Sequence, residues 1–274
     1  MTAEPTTTRP NRVLELFRWP DVSYRNALRM WSRNTTLFRK GWKRFVLPNF
    51  LEPILYLLSF GFGLGLYVGS QILGVEYVDF IAPGLAATSA MYGAVFELTY
   101  NVYVKLQFGH VYDAVITTPL EAEDAAAGEI LWGLTRSFLY GSAFVLVMVA
   151  LGHTHSWTTV FAFVALPLVG LAVGLVALIY TCLVPVIDLF TYFFNLFIIP
   201  MFLFSGVFFP IDSLPVWAQT AAWFTPLHHG VELSRSLILT GDLVAALGHA
   251  GWLLTFCLVL YPVAVNLMRR RLVV

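Results

Sequence analysis

Apolar residues fall into six long runs, which are separated by polar or proline-containing stretches. Each run reaches the roughly 20 residues that an α-helix needs to cross a bilayer. The pattern therefore predicts an all-α integral membrane protein with a six-helix transmembrane domain over residues 45–274. The expected spans are residues 46–68, 78–102, 128–151, 158–184, 187–209 and 248–268.

The segment before the first apolar run is polar and basic. Residues 1–20 are rich in Thr, Pro and Arg, which predicts a loose cytoplasmic tail. Residues 21–44 follow a helical pattern with Arg25, Arg29 and Arg33 on one face. An amphipathic helix along the membrane–water interface fits this pattern. The neighbouring apolar runs argue against nucleic-acid binding by the Arg stripe, so we expect no nucleic-acid partner.

Composition and charge placement support the membrane assignment. Hydrophobic residues make up 58% of the chain and charged residues 12%, about half the share usual in soluble domains. Ten of the 16 basic residues precede position 45, and three more close the chain at Arg269, Arg270 and Arg271. Six crossings place both termini and Lys105 on one side, which the positive-inside rule identifies as the cytoplasm.

The longer cytoplasmic loop is expected at residues 103–127. Thr118, Pro119 and Glu121 match a capping box with proline in the first helical position, which predicts that the third span begins there. Residues 106–116 before it have the pattern of a short amphipathic element. This element is either a solvated connector or a docking helix for a cytoplasmic partner, and the residues alone leave both open.

The longer outer loop is expected at residues 210–247. Its apolar segments 216–224 and 227–239 are each too short to cross a bilayer. We favour two re-entrant half-helices over helices that lie flat on the surface, because backbone at membrane depth must be shielded by protein.

Three features within the spans are candidates for function. Glu97 and Arg136 are expected to pair in the cytoplasmic halves of adjacent helices, as a helix-positioning ion pair. Gly61, Gly65 and Gly69 recur at every fourth residue, which suits dimer contact or internal packing. The fifth span is dense in aromatic residues, which suits packing, lipid contact or a substrate path. The candidate path residues are Tyr92, Phe96, Phe190, Phe194, Phe197 and Phe204.

No catalytic motif, metal-ligand cluster or phosphate-binding loop is present in the sequence. We therefore expect no enzymatic activity and no cofactor on this chain. An intramembrane enzyme would need a nucleophile and a base at membrane depth. A proton-coupled secondary transporter would need several intramembrane carboxylates, and Glu97 is nearly alone.

The two long loops carry specific motifs. YDAVITTPLEAEDAAAGEILWG and SGVFFPIDSLPVWAQTAAWFTPLHHGVEL resemble the signatures of ABC-2 type transport permeases, most of all the NodJ-like lipooligosaccharide exporter permeases. The resemblance implies a homodimer in the bacterial inner membrane, working with two copies of a separate ATPase subunit that holds ATP and Mg. It implies export of a lipid-linked oligosaccharide or glycolipid, with hydrophobic drug or antibiotic efflux as the alternative.

The same resemblance assigns roles to residues in both loops. The coupling helix to the ATPase would be residues 108–116, with contacts from Phe108, His110, Tyr112, Asp113 and Ile116. The re-entrant helices would gate the exit at residues 213–240, with Pro215, Trp217, Thr225, Pro226 and His228 as gate residues. The pathway would run between the two protomers.

Overall fold

The computed structural model describes residues 14–65, 71–72 and 74–273. Over these residues the regular structure is helical, apart from a two-stranded antiparallel hairpin of β1 (Gln71–Ile72) and β2 (Val75–Glu76). The helices in chain order are α1 (Tyr24–Leu58), α2 (Tyr77–Gln107), α3 (Val111–Ile116), α4 (Ala122–Leu151), α5 (Thr159–Leu183), α6 (Ile187–Phe204), α7 (Val216–Trp223), α8 (Pro226–Arg235) and α9 (Leu243–Leu272).

Five of the described helices are long and apolar enough to cross a membrane, namely α2, α4, α5, α6 and α9. They coincide with the second to sixth predicted spans. The predicted first span, residues 46–68, forms the second half of α1 and a following π-helical turn, Ser59–Leu64. Its last residues, 66–68, lie outside the described part of the chain. A sixth crossing therefore stays a prediction.

A break at Gly41 divides α1 into two parts. This residue has φ −122° and ψ 15°, which is not helical. The part before the break packs along α4 and buries Ala27, Met30 and Asn34 against it, whereas Tyr24 is 85% exposed. Residues 24–40 thus form a separate arm, and its position along a membrane interface stays a prediction. The break comes a few residues before the predicted boundary at residue 44.

The central helix of the described fold is α2, which packs against α4, α5 and α8 and is the most deeply buried of the five long helices. Small residues allow the close approach, since a Cβ at Gly93 would lie 2.8 Å from the carbonyl oxygen of Arg136 on α4. A π-helical turn at Glu97–Asn101 interrupts the regular hydrogen bonding of α2. The Thr181 hydroxyl of α5 donates to the Leu98 carbonyl within it, at 2.9 Å.

The start of α4 differs from the sequence prediction, which was wrong about the cap. The helix begins at Ala122 with Glu121 as its N-cap, and Glu121 and Asp124 form a reciprocal capping box. Thr118 instead donates its hydroxyl to the carbonyl of Val115, at 2.6 Å, and so closes the end of α3. Pro119 lies in the connection between the two helices. The later start follows because Asp124 supplies the carboxylate that Glu121 was expected to supply.

The contact between α1 and α4 depends on the absence of a side chain at Gly128. A Cβ there would lie 2.5 Å from the Met30 Cβ and 2.9 Å from the Ala27 carbonyl oxygen. We predict that Gly128→Ala lowers the free energy of unfolding by about 1–3 kcal/mol, because overpacking forces the α1 arm away. Thermal unfolding in detergent measures this loss. Gly251→Ala on α9 is the control, since a Cβ there meets nothing within 4 Å; equal melting temperatures for the two variants would contradict the prediction.

Candidate coupling site and buried polar junction

The short helix α3 presents an exposed surface to the cytoplasmic side of the predicted topology. Phe108 is 67% exposed, and the His110 and Asp113 side chains are exposed and hydrogen-bonded to each other at 2.9 Å. His110 adopts a left-handed backbone conformation, with φ 44°, at the turn between α2 and α3. Three of the five predicted ATPase contacts are therefore accessible. The backbone of Ile116 ends α3, and its side chain lies outside the described atoms.

Tyr112 has a different position from the one expected of an ATPase contact. Its side chain is 1% exposed, and its hydroxyl donates to Glu129 Oε1 of α4 at 3.0 Å. Burial, together with the nearby Glu129 carboxylate, raises the pKa of Tyr112 well above its usual value, so the phenol remains a donor. The prediction that Tyr112 contacts a partner is wrong for this structure, because a fully buried side chain has no surface to offer.

Glu129 is the centre of a polar cluster that sequence reasoning missed. Its carboxylate is fully buried, and Oε2 accepts from Lys105 Nζ at 2.8 Å and from Asn34 Nδ2 at 3.0 Å. With Tyr112 these residues join α1, α2, α3 and α4 at one point. We call this set, together with Glu97, the buried polar junction. Its members are up to 95 positions apart in sequence, so no local motif reveals it.

The expected neighbours Glu97 and Arg136 lie at the edge of the junction. Glu97 Oε2 accepts from Asn101 Nδ2 at 2.9 Å, and Oε1 lies 3.4 Å from Lys105 Nζ. Arg136 Nε is 3.7 Å from Glu97 Oε2, which is within ion-pair range. The Arg136 guanidinium also lies over the Tyr140 ring, 5.0 Å from its centroid. Glu97 is thus shared among three partners rather than reserved for Arg136.

A second set of polar contacts fixes the start of the α1 arm. The backbone N–H of Asp21 donates to Glu123 at 2.7 Å, and the N–H of Ser23 donates to Asp124 at 2.8 Å. Arg269 at the end of α9 pairs with the other Glu123 oxygen at 2.7 Å. The acidic first turn of α4 therefore holds the arm and α9 together, in addition to capping its own helix.

Aromatic rings form a continuous row, the aromatic ladder, between α2 and α6. Phe96 stacks on Tyr92 at 5.5 Å, on Tyr100 at 6.3 Å and on Phe194 at 5.2 Å, with interplanar angles of 20–25°. Phe96 is 46% exposed, so the ladder borders the surface of the protomer. Of the other predicted path residues, Phe197 and Phe204 are also exposed. Phe190 is fully buried and packs in the core, so it cannot line a path in this conformation.

On the predicted outer side, α8 lies buried against α2, α5 and α9. Thr225 caps it and Pro226 is its first residue, which matches the expected helix start. Arg235 near its end is nearly buried and donates to the carbonyls of Gly206 at 2.6 Å and Val207 at 3.2 Å. These contacts fix α8 between the long helices. The short helices in this region are Val216–Trp223 and Pro226–Arg235, with a π-helical turn at Ser236–Thr240, and their re-entrant insertion stays a prediction.

The remaining predicted gate residues divide between surface and interior. Pro215 precedes α7 and is exposed, as is Trp217, whose exposure suits an aromatic residue at a membrane interface. His228 is nearly buried, with its ring 5.2 Å from that of His229. His229 in turn stacks on Trp252 of α9 at 4.0 Å. The α7–α8 pair therefore has an apolar outer surface and an aromatic inner contact with α9.

Asp79 and two histidines form a further contact that the sequence did not reveal. The Asp79 carboxylate at the start of α2 hydrogen-bonds His153 at 2.7 Å and His155 at 2.8 Å, which ties the α4–α5 loop to α2. Within the part of the chain that the structure describes, no group of His, Cys, Asp or Glu residues is arranged to hold a metal ion. Cys182 and Cys257 are free thiols.

Comparison with known proteins assigns these features to a family. The ABC-2 type transporter family matches residues 25–239. The chain is 36% identical over 247 residues to Nodulation protein J of Rhizobium leguminosarum bv. viciae, which covers 90% of this chain and 95% of the relative. It is 32% identical over 247 residues to Nodulation protein J of Rhizobium meliloti, with coverage of 90% and 94%. The inner membrane transport permease YadH of Escherichia coli is 24% identical over 246 residues, with coverage of 88% and 93%.

The Tyr112–Glu129 contact should be visible as an energetic coupling. We predict that Tyr112→Phe lowers the free energy of unfolding by about 1.5–3 kcal/mol, since a buried carboxylate loses a donor. Glu129→Gln should cost a similar amount, and the double variant should cost less than the sum. Thermal unfolding of the four proteins measures the cycle. Tyr192→Phe is the control for an exposed tyrosine, and strictly additive losses would contradict a direct contact.

The geometry at Arg235 requires a guanidinium. We predict that Arg235→Lys lowers the free energy of unfolding by about 1–3 kcal/mol, because an ammonium cannot span the carbonyls of Gly206 and Val207 together with the Glu232 carboxylate. Limited proteolysis of the segment 206–215 should accelerate in parallel. Arg39→Lys, at an exposed position of α1, is the matched control; indistinguishable behaviour of the two variants would show that charge alone suffices.

Proposed function

Because the chain belongs to the ABC-2 type transporter family, we propose that it is the membrane permease of an ABC exporter for a lipid-linked oligosaccharide or glycolipid. In this proposal two copies of the chain span the bacterial cytoplasmic membrane, with both termini in the cytoplasm and six crossings each. The sequence contains no phosphate-binding loop. In this proposal, two copies of a separate ATPase subunit bind ATP and Mg.

The observation that carries the proposal is that the region of α3 has one exposed side and one side anchored in the interior. Asp113 on α3 is exposed and available to a partner, as are Phe108 and His110 in the turn before it, whereas Tyr112 on α3 donates a hydrogen bond to buried Glu129. A force applied to the exposed side would reach α1, α2 and α4 through the buried polar junction. This arrangement suits a coupling helix better than a solvated connector, which needs no buried anchor.

The surroundings of α3 support docking of an acidic partner. A groove of about 350 Å³ lies between α3 and the α1 arm, with Arg29 and Arg33 on one side and His110 and Val111 on the other. Its two arginines favour carboxylates on the ATPase surface. The α1 arm would then take part in docking in addition to lying along the membrane interface.

The export route is proposed to run between the two protomers along the aromatic ladder. Stacked rings present flat apolar faces to acyl chains and to the C–H faces of sugars. The α7–α8 pair would act as the outer re-entrant gate, held closed by contacts such as those of Arg235. Gly61, Gly65 and Gly69 are proposed to pack against the second copy; Gly69 lies outside the described residues.

A second candidate substrate class is a hydrophobic drug or antibiotic, because the ladder rings of Tyr92, Phe96 and Phe194 carry no charge that would select against it. Proteoliposomes containing the permease and its ATPase, supplied with a fluorescent glycolipid or a hydrophobic dye, separate the two candidates. ATP-dependent accumulation of the glycolipid supports the leading proposal, and accumulation of the dye alone supports the second. Transport that needs a proton gradient and no ATPase would contradict both.

Different residues should serve docking of the ATPase subunit and transmission of its movement to the permease. We predict that Phe108→Ala with Asp113→Ala reduces recovery of the ATPase subunit at least fivefold when the tagged permease is purified, because exposed docking contacts are lost. Tyr112→Phe should retain the ATPase yet reduce glycolipid transport relative to ATP hydrolysis. Quantitative mass spectrometry and paired transport and hydrolysis assays measure the two effects.

The exposed residue Thr117 at the end of α3 provides the docking control. Thr117→Ala should retain both the ATPase and transport. Loss of the ATPase in Tyr112→Phe, or its full retention in the double variant, would contradict the proposed division of α3.

A further inference from the structure

We propose that Glu52, with the hydroxyls of Tyr56 and Tyr92, forms a carbohydrate-binding subsite in the export route. The inference rests on the proposed function, since it names the part of the route that recognises the sugar of a glycolipid. Glu52 lies in the predicted first span, in which the sequence pattern indicates only glycines as candidates.

The Glu52 carboxylate is half-buried in an otherwise apolar stretch of α1. In the described part of the chain, no hydrogen bond or ion pair engages it, in contrast to Glu97, Glu123 and Glu129. An ionisable side chain at membrane depth is costly, and it is usually retained for function. The acidic side chains of α2 and α4 serve structural contacts, whereas Glu52, within the described part of the chain, keeps its hydrogen-bonding capacity for a ligand.

Space is available next to this carboxylate. A cavity of about 500 Å³, open to the outside of the protomer, is lined by Glu52, Leu51, Leu55, Tyr56 and Ser59. The volume lies within the usual range for small-molecule sites, which is roughly 300–1,000 Å³. Its lining combines apolar surface with a carboxylate and the hydroxyls of Tyr56 and Ser59, which is the mixture that an amphipathic molecule requires.

Tyrosines connect Glu52 to the aromatic ladder. Glu52 lies within electrostatic reach of the hydroxyls of Tyr56, Tyr92 and Tyr140. Tyr56 stacks on Phe60 at 6.0 Å, and Tyr92 is the outermost described ring of the ladder, stacked on Phe96. A carboxylate accepts hydrogen bonds from neighbouring sugar hydroxyls, and phenols donate and accept beside it. Aromatic faces next to these groups pack against the C–H faces of the ring.

The test uses proteoliposomes that contain the permease with its ATPase, and two fluorescent probes with the same acyl chain. One probe is dodecyl maltotrioside and the other is dodecylphosphocholine, which lacks a sugar. We expect Glu52→Gln to raise the KM for the maltotrioside about tenfold, which corresponds to losing a hydrogen bond to a charged group. Tyr56→Phe should raise it to a smaller extent, and the phosphocholine probe should not show this loss of affinity.

Asp188→Asn is the matched control, because Asp188 is an exposed carboxylate in the turn that begins α6. Its KM for both probes should equal that of the wild type. Each variant is also checked for its melting temperature and for its mass in detergent. These two measurements distinguish an effect of the substitution on probe binding from an effect on folding or on dimer formation.

Four outcomes would overturn the proposal. An unchanged KM for the maltotrioside in both Glu52→Gln and Tyr56→Phe would contradict the subsite. Transport of the probe by the wild type would still support the proposed function in that case. An equal loss for both probes shows a general effect on the route. Dissociation of the dimer in Glu52→Gln shows that the carboxylate pairs with the second copy instead. Wild-type protein that moves neither probe overturns the proposed function itself.

Discussion

The buried carboxylate of Glu129 imposes the constraint on which the half of the structure predicted to face the cytoplasm depends. A charge that is fully withdrawn from solvent is tolerated only where several donors surround it. Tyr112, Lys105 and Asn34 supply these donors from three different helices. Each helix is therefore held at a fixed distance from α4, and moving one of them alone would leave a buried carboxylate short of a partner.

The half predicted to face outward is fixed by a different means. There Arg235 of α8 reaches the backbone carbonyls of the 206–207 segment, and Asp79 holds the α4–α5 loop through His153 and His155. Between these two sets of contacts lie the aromatic ladder, in which Phe96 is exposed, and the open cavity beside Glu52. Both ends of the helical bundle are thus held by polar contacts, whereas its central part is accessible. Such a bundle is suited to transmit movement from one side of a membrane to a transport route at its centre.

The sequence was sufficient for features that depend on local pattern. Five of the six apolar runs form long helices at the expected places, and Thr225 and Pro226 begin α8 as predicted. The sequence was insufficient where contacts with distant elements decide which of two similar residues caps a helix or which side of a helix is buried. Thr118 and Glu121 both have capping chemistry, and Asp124, which the start of α1 contacts, favours Glu121. A helix as short as α3 has too few turns for periodicity to show that Tyr112 points inward.

In the proposed mechanism, α3 and the α1 arm move as one body because the buried polar junction joins them. Spin labels at Thr117 on α3 and Ser32 on α1, both exposed, report their separation by pulsed electron paramagnetic resonance once Cys182 and Cys257 are replaced. With the ATPase bound, the account predicts an unchanged Thr117–Ser32 distance within a protomer on trapping ATP, and a changed Thr117–Thr117 distance between protomers. A Thr117–Ser32 distance that changes while the positions of the protomers stay fixed would contradict it.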